Sequence, residues 1–164
     1  MRLSKNFTLS ELTRSNTARR LGINNTPSTE EVYKLTLLAT ELLQPLRERL
    51  GALRVTSGYR SKELNAIFGS KNSQHCKAEA VDLQYIRRGK MDNIKIWEAL
   101  IMENLEFDQC ILEFGDATEY VNPDYPDWVH LSWKVKDNRR QILVAYKDID
   151  NKTNYRPSLN YNSL

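Results

Sequence analysis

Two histidines and an aspartate are the residues of this sequence whose types and spacing could bind a catalytic metal ion. The 164-residue chain contains two histidines: His75 stands in the run SQHCKAEAVD, seven residues before Asp82, and His130 stands in the run WVHLSW. Two imidazoles and one carboxylate form a three-ligand set typical of catalytic Zn²⁺ sites, in which water occupies the fourth position. A lone histidine is more often an ordinary hydrogen-bonded residue than a ligand, and the aspartate alone could cap a strand end, so the hypothesis of a metal site depends on their combination.

The spacing of the first two candidate ligands requires a turn between them. Because side chains alternate along a strand, a separation of seven residues would put His75 and Asp82 on opposite faces of one continuous strand. We place the turn at 77–79, so that His75 comes from a loop and Asp82 from the strand-like run AVDLQ that follows.

The segment before these residues carries two helix signals. The run TLSE at 8–11 is a capping box, and it predicts a helix that continues to Gly22 with a break near Ser15. A second capping box, STEE, begins a run of apolar residues at helical spacing over 28–50, before Gly51. Pro45 is expected to kink this second helix near its end. The helical N-terminal part is therefore predicted over about residues 8–50.

After Gly51 the pattern changes to short runs typical of β-strands. Two more helices are expected between these runs, one over 61–68 that ends at Gly69 and one that begins after Asp92. Helices that come first and strands that follow favour an α+β fold, in which the N-terminal helices pack on a mainly antiparallel sheet of about five strands. The five predicted strands are 53–57, 80–84, 109–114, 128–133 and 141–146.

Composition indicates one ordinary globular domain. With 40% hydrophobic residues and a formal net charge of +3, we predict a single domain over 1–147, its sheet part over 53–147, and a polar C-terminal tail over 148–164. Cys76 and Cys110 are too few for a disulfide scaffold, and the absence of a Gly-rich phosphate loop excludes a P-loop nucleotide site. No apolar run approaches the about 20 residues that cross a bilayer, and the opening residues lack the apolar stretch of a signal peptide. We therefore expect a monomer made in the cytoplasm, without a membrane partner.

The run SQHCKAEAVD resembles the Ser-x-His-x-x-Gly-x-Ala-x-Asp signature of the zinc D-alanyl-D-alanine carboxypeptidases and L-alanyl-D-glutamate endopeptidases, relatives of the hedgehog N-terminal domain. The opening KNFTLSELTRSNTARRLGINN and the runs VTSGYRS, LEFG and PDWVHLSW are similar to the phage and prophage branch of that family. The resemblance covers roughly residues 5–147 and implies a hedgehog/D,D-peptidase-like fold. Ala78 stands where the family usually has Gly, and it would be strained if the backbone there needs a positive φ.

The resemblance also implies a set of roles. One Zn²⁺ per chain would be bound by His75, Asp82 and His130. The general base would be Asp127, three residues before the second histidine, with the preceding proline bending the chain toward the metal; Glu113 in the neighbouring strand is the alternative.

Three other residues are expected on the substrate side of the site. Arg60 and Ser73 correspond to substrate-binding groups of the family, and Arg60 could also stabilise a developing oxyanion. Without the resemblance, Arg60 is as well explained by a surface ion pair with Glu63. Trp128 shares a strand face with the second histidine and is therefore expected to line the same cleft.

The function implied is hydrolysis of a peptide bond in the stem or cross-link of bacterial peptidoglycan by water activated at the metal, as in a phage lysin released to the wall or a virion component. Two alternatives remain open. A zinc-bearing binding module that has lost catalysis is favoured by Ala78, and a small nucleic-acid-binding domain is suggested by the basic cluster at 134–140, although no nucleic acid partner is expected.

Overall fold

The helices begin where the two capping boxes predict them. In the computed structural model, which describes residues 1–68 and 72–159, α1 spans Leu9–Thr13 and α2 spans Asn16–Leu21. The predicted break falls at Ser15, whose hydroxyl accepts a hydrogen bond from the Ala18 backbone and caps α2. Both capping boxes are complete, because each glutamate at the third helical position also accepts the backbone N–H of its cap.

The second predicted helix changes its winding before its proline. Helix α3 (Thr29–Leu38) passes through a π-helical turn at Ala39–Leu43 into α4 (Gln44–Leu50). Pro45 has no N–H to donate within a regular helix, and a wider turn just before it accommodates the missing hydrogen bond.

Two shorter helices follow in the described part of the chain. Helix α5 spans Lys62–Ile67 and α6 spans Ile94–Met102, as expected between the strands. Gly69, which was predicted to end α5, lies outside the described residues. None of the helices in residues 1–68 and 72–159 is long and apolar enough to cross a bilayer.

The sheet is mostly antiparallel, as predicted, and seven of its strands lie in the described part of the chain. All five predicted strands are present, as β1 (Leu53–Ser57), β2 (Ala80–Arg87), β4 (Gln109–Glu113), β5 (Trp128–Ser132) and β6 (Gln141–Lys147). Their order is β1-β2-β5-β4-β6, and β4 and β6 form the one parallel pair among the described strands.

The count of five strands was too low because the other two carry little strand signal. Strand β3 (Lys90–Met91) has two residues and closes a hairpin with the end of β2. Strand β7 (Thr153–Pro157) lies within the segment predicted as a polar tail and pairs antiparallel with β6 at the sheet edge. Its sequence TNYRP has no alternation of apolar residues. A strand at the sheet edge pairs with a neighbour along one hydrogen-bonding side, and such a strand does not need that alternation.

The two faces of the sheet have different roles. One face packs against the helices and forms the core, which includes Leu38 and Leu42 of the helical layer and Leu83, Val129 and Leu112 of the strands, all fully buried. Each fully buried leucine contributes about 1.5–3 kcal/mol through apolar burial. The opposite face forms the floor of an open cleft that includes the predicted metal ligands.

Candidate metal centre

The three predicted metal ligands meet on the open face of the sheet. Asp82 of β2 lies opposite His130 of β5 in the strand register, and His75 approaches from the loop before β2. Asp82 Oδ1 lies 3.0 Å from His130 Nδ1 and 3.3 Å from His75 Nε2, and one donor atom of each residue lies within 4.8 Å of the others. All three side chains are buried.

These separations fit a bound metal ion. Donor atoms at the corners of a tetrahedron with bonds of about 2.0–2.1 Å lie about 3.3 Å apart. The measured contacts of Asp82 Oδ1 with the two imidazole nitrogens are close to that edge length. The donor set, two imidazoles and a carboxylate, is also one that suits a divalent transition metal. The predicted ligands can therefore hold such an ion.

A short 3₁₀ helix, Gln74–Lys77, presents His75. Ser73 caps this helix, and its hydroxyl accepts the His75 backbone N–H at 3.3 Å. The cap gives Ser73 a structural role. Ser73 also lines the cleft, where it is predicted to bind substrate. The turn predicted at 77–79 is made by Ala78, which has the left-handed conformation with φ 58° and ψ 34°.

Ala78 therefore occupies a position whose backbone favours glycine. A left-handed alanine costs roughly 1–2 kcal/mol. The methyl group is fully buried in the core, and burial of one such group contributes about 0.8 kcal/mol. Because burial offsets part of the cost and the three donor atoms still converge, the alanine is compatible with an intact site.

The carbonyl of Gly58 orients His75. His75 Nδ1 lies 2.7 Å from this oxygen, which can only accept, so Nδ1 carries the proton and Nε2 keeps its lone pair toward Asp82. Gly58 is held against the end of α1, where an added Cβ would lie 2.2 Å from the Leu12 carbonyl oxygen. The neighbouring Tyr59 N–H donates to that same oxygen at 2.7 Å.

Because of this close approach, Gly58→Ala is expected to destabilise the protein by about 2–3 kcal/mol and to weaken metal binding about tenfold. The added methyl must push the loop away from α1, and the carbonyl that orients His75 moves with it. Urea unfolding and titration with Zn²⁺ measure the two effects.

Gly22→Ala is the matched control, since an added Cβ there meets no atom within 4 Å. It should cost only the roughly 1–2 kcal/mol of a left-handed alanine and leave metal affinity unchanged. Equal stability and metal affinity in Gly58→Ala and the unmodified protein would show that the close contact with α1 has no role.

Arg60 fixes the other oxygen of Asp82. Its Nη2 donates to Asp82 Oδ2 at 3.1 Å, and Nε and Nη2 both donate to the hydroxyl of Ser57. The guanidinium also lies over the ring of Phe68, 4.7 Å from its centre. Arg60 is thus bound to a predicted metal ligand rather than to Glu63, and it lines the cleft, where it can reach substrate.

The buried ligands have the protonation states that metal binding needs. Burial lowers the pKa of His75, so its imidazole is neutral near pH 7. Burial alone would raise the pKa of Asp82, but its contacts with His75 and His130 outweigh that effect and lower the pKa, so Asp82 stays a carboxylate. A carboxylate and neutral imidazoles are the forms in which these side chains ligate metals.

Glu113 lines the same cleft. It lies opposite Trp128 in the β4–β5 register, and Ile111, two residues earlier, lies opposite His130. Burial, followed by the charge of Asp82, raises the pKa of Glu113 to about 7, whereas a hydrogen bond from Trp128 opposes that shift. A partly buried carboxyl group that titrates near neutrality in a cleft is typical of a catalytic acid or base. Trp128 lines the cleft as predicted, with its ring against Phe114.

Asp127 does not join this group. Its side chain is exposed and is not among those that line the cleft. Its backbone N–H donates to the Glu113 carbonyl, and the buried side chain of Asn93 donates to the carbonyls of Pro126 and Asp127. These bonds hold the Asp127 backbone at the start of β5, where strand alternation directs its side chain away from the face of His130.

The basic cluster at 134–140 is largely neutralised within the protein. Lys134 and Arg139 both contact Asp108, and Arg140 contacts Glu106. These ion pairs reduce the positive potential that a nucleic-acid surface requires.

Sequence reasoning missed several residues of the site. Two of them touch a predicted ligand: Gly58 contacts His75, and Gln74 contacts His130. Asp108 contacts Gln74, and Tyr155 lines the cleft. Gln74 could have been found from its place beside His75, whereas the others become neighbours of the site only through strand pairing.

Comparison with known proteins agrees with this geometry. The family model described as Peptidase M15 matches residues 5–132, which include all three predicted ligands and strands β1 to β5. No curated protein and no solved structure matches the chain. Since the match covers more than half of the sequence, the chain belongs to the peptidase M15 family of metallopeptidases.

Proposed function

We propose that this protein is a zinc-dependent peptidase that hydrolyses a peptide bond of bacterial peptidoglycan, in the stem peptide or the cross-link. The observation that carries the proposal is the convergence of three buried donor atoms, at separations that suit a tetrahedral ion, on the floor of an open cleft. Membership of the peptidase M15 family supports the reaction class. The likeness of SQHCKAEAVD to the signature of the zinc carboxypeptidases and endopeptidases supports the substrate class.

His75, Asp82 and His130 would hold the zinc ion. When bound, Zn²⁺ polarises a carbonyl group and lowers the pKa of a water molecule to about 7. Asp82 presents one oxygen to both imidazoles because Arg60 holds the other. The site thus supplies two neutral ligands and one anionic ligand and leaves space for a substrate oxygen on the cleft side.

We assign the general base to Glu113, the alternative weighed against Asp127 in the sequence. Glu113 and His130 lie on the same sheet face on adjacent strands, displaced by two residues, or roughly 7 Å along the strand direction. A carboxylate at this distance can reach a reacting water molecule directly or through a second one. Ionised Glu113 takes the proton of the attacking water, and the resulting acid returns it to the leaving amine.

The cleft is large enough for several residues of a peptide, with a volume of about 850 Å³. Arg60 contributes the guanidinium N–H groups that its bonds to Ser57 and Asp82 leave unused, and these suit a substrate carboxylate or carbonyl. Trp128 offers an apolar wall, and Ser73 a hydroxyl at the rim.

The test is mass spectrometry of purified peptidoglycan after incubation with the zinc-loaded protein. Peptidoglycans of Gram-negative and Gram-positive bacteria together contain the D-Ala-D-Ala, L-Ala-D-Glu and cross-bridge bonds. The masses of the fragments identify the bond that is cut. The matched control is His75→Ala, which lacks a metal ligand. New fragments made only by the intact protein support the proposal, whereas zinc binding without cleavage of any wall would identify an inactive zinc-bearing module.

A further inference from the structure

A side-chain network runs from a buried aspartate to one of the two histidine ligands. Gln74 sits beside His75 in the chain, but its side chain reaches the other histidine: Gln74 Oε1 lies 3.4 Å from His130 Nε2. The amide nitrogen of Gln74 donates to Asp108 Oδ2 at 2.8 Å. Gln74 thus bridges Asp108 and His130 on the side of the imidazole away from Asp82.

Asp108 is a firm anchor for this bridge. Its side chain is fully buried, and both of its oxygens are hydrogen-bonded. Arg139 donates to both oxygens, with Nε at 2.9 Å and Nη2 at 2.5 Å, and Lys134 Nζ lies 2.8 Å from Oδ1. Burial alone would raise the pKa of Asp108, but the bonds from Arg139 and Lys134 outweigh it and lower that pKa. The anchor is therefore a carboxylate with acceptor oxygens only.

The chemistry of the network determines which nitrogen of His130 carries a proton. Because Asp108 can only accept, the amide nitrogen of Gln74 must face it, and the amide oxygen must then face His130. That oxygen also can only accept, so His130 Nε2 is the donor. In a neutral imidazole the other nitrogen, Nδ1, is then unprotonated, and this is the atom that faces Asp82 Oδ1 at 3.0 Å.

We propose that Gln74, anchored by Asp108, is a positioning residue that holds His130 with Nε2 protonated and Nδ1 available to the metal. His75 is held in the opposite tautomer, since its Nδ1 donates to the Gly58 carbonyl and its Nε2 faces Asp82. The inference rests on the proposed metal binding and deepens it by assigning a ligand atom to each histidine. It also gives Lys134 and Arg139 a role: they keep the anchor ionised.

The test uses the zinc-loaded, ¹⁵N-labelled protein and long-range ¹H–¹⁵N spectra of the imidazole rings, which distinguish protonated from metal-bound nitrogen. The expected result is one histidine with Nδ1 protonated and Nε2 on zinc, and one with the reverse arrangement. Sequential resonance assignment of the unmodified protein identifies which set of signals belongs to His130. Two histidines of the same tautomer in the unmodified protein would overturn the proposal.

The variant that tests Gln74 is Gln74→Leu, which keeps the size of the side chain and removes both polar ends. Zinc affinity, measured by competition with a chromophoric chelator, is expected to fall about tenfold, and the Nε2 signal of His130 to shift or broaden. Gln109→Leu is the matched control, because Gln109 lines the same cleft but bonds to Gln141 and not to a metal ligand.

The outcomes separate this inference from the proposed function. Failure of the unmodified protein to bind zinc overturns the proposed function, and the inference with it. Zinc binding with unchanged affinity and unchanged His130 signals in Gln74→Leu overturns the inference alone. The tautomers of the unmodified protein give a decisive result even where Gln74→Leu does not fold.

Discussion

Glu113→Gln is expected to reduce peptide hydrolysis by about 10²- to 10⁴-fold while zinc still binds at one ion per chain. The substitution keeps the shape of the side chain and removes the group that accepts a proton in the cleft. The rate of fragment release from peptidoglycan peptides measures the loss, and elemental analysis of the purified variant measures the zinc. A fall in zinc content would instead mean that Glu113 supports the metal site.

The matched control is Asp127→Asn, which changes the exposed carboxylate that the family resemblance favours. It is expected to retain most of the activity because its side chain lies outside the cleft wall. The opposite result, an inactive Asp127→Asn beside an active Glu113→Gln, would return the role of base to Asp127.

The pH dependence adds a second readout of the base. A general base works in its ionised form, so the rate should fall as the pH drops below the pKa of Glu113, which is raised to about 7 without metal. A bound cation favours the carboxylate and moves this fall in rate to lower pH. The fall should be missing from the pH profile of the residual activity of Glu113→Gln.

His130→Ala is expected to weaken zinc binding roughly a hundredfold or more and to abolish hydrolysis. Structural zinc sites with four protein ligands bind with about 10–16 kcal/mol, so loss of one ligand removes about 3 kcal/mol. The variant also removes the imidazole whose Nδ1 lies 3.0 Å from Asp82 Oδ1. Competition with a chromophoric chelator measures the affinity, and thermal unfolding with and without Zn²⁺ measures the stabilisation that binding gives.

Gln109→Ala serves as the control for His130→Ala, since Gln109 lies on the same sheet face and lines the same cleft without touching a donor atom. It should bind zinc like the unmodified protein. If His130→Ala and Gln109→Ala bind zinc equally well, His130 is not a ligand and the three-donor site is wrong.

The candidate metal ligands could be predicted from the sequence because the chain offers few choices. With two histidines available, and an aspartate at the spacing of a turn followed by a strand, the donor set was nearly determined by residue type. The mainly antiparallel sheet was predictable for a different reason, since the helix signals come first and five short runs typical of strands follow them. In both cases local sequence holds enough information.

The base could not be chosen in the same way. Asp127 is near His130 in sequence, but hydrogen bonds from Asn93 and to the Glu113 carbonyl fix its backbone where the side chain meets solvent. Glu113 is brought to the cleft by the pairing of β4 with β5, and a strand register cannot be read from a single strand.

The C-terminal strand was missed because its role is topological. Strand β7 lies beyond the family-matched segment, yet Tyr155 reaches the cleft because Ala145 of β6 pairs with both Glu113 and Tyr155. An edge strand rich in polar residues gives no periodic signal. A cleft wall made by such a strand is therefore visible only once the sheet is assembled.

The strand order also governs when the three candidate ligands come together during folding. His75 and Asp82 are close in sequence, but Asp82 and His130 are 48 residues apart and meet only when β5 inserts between β2 and β4. Closing such a loop costs chain entropy before any contact repays it, so we expect this pairing to be a late step. A growing or refolding chain would then hold two of the three candidate ligands before the third arrives, and uptake of the proposed ion would mark the moment at which the centre of the sheet is complete.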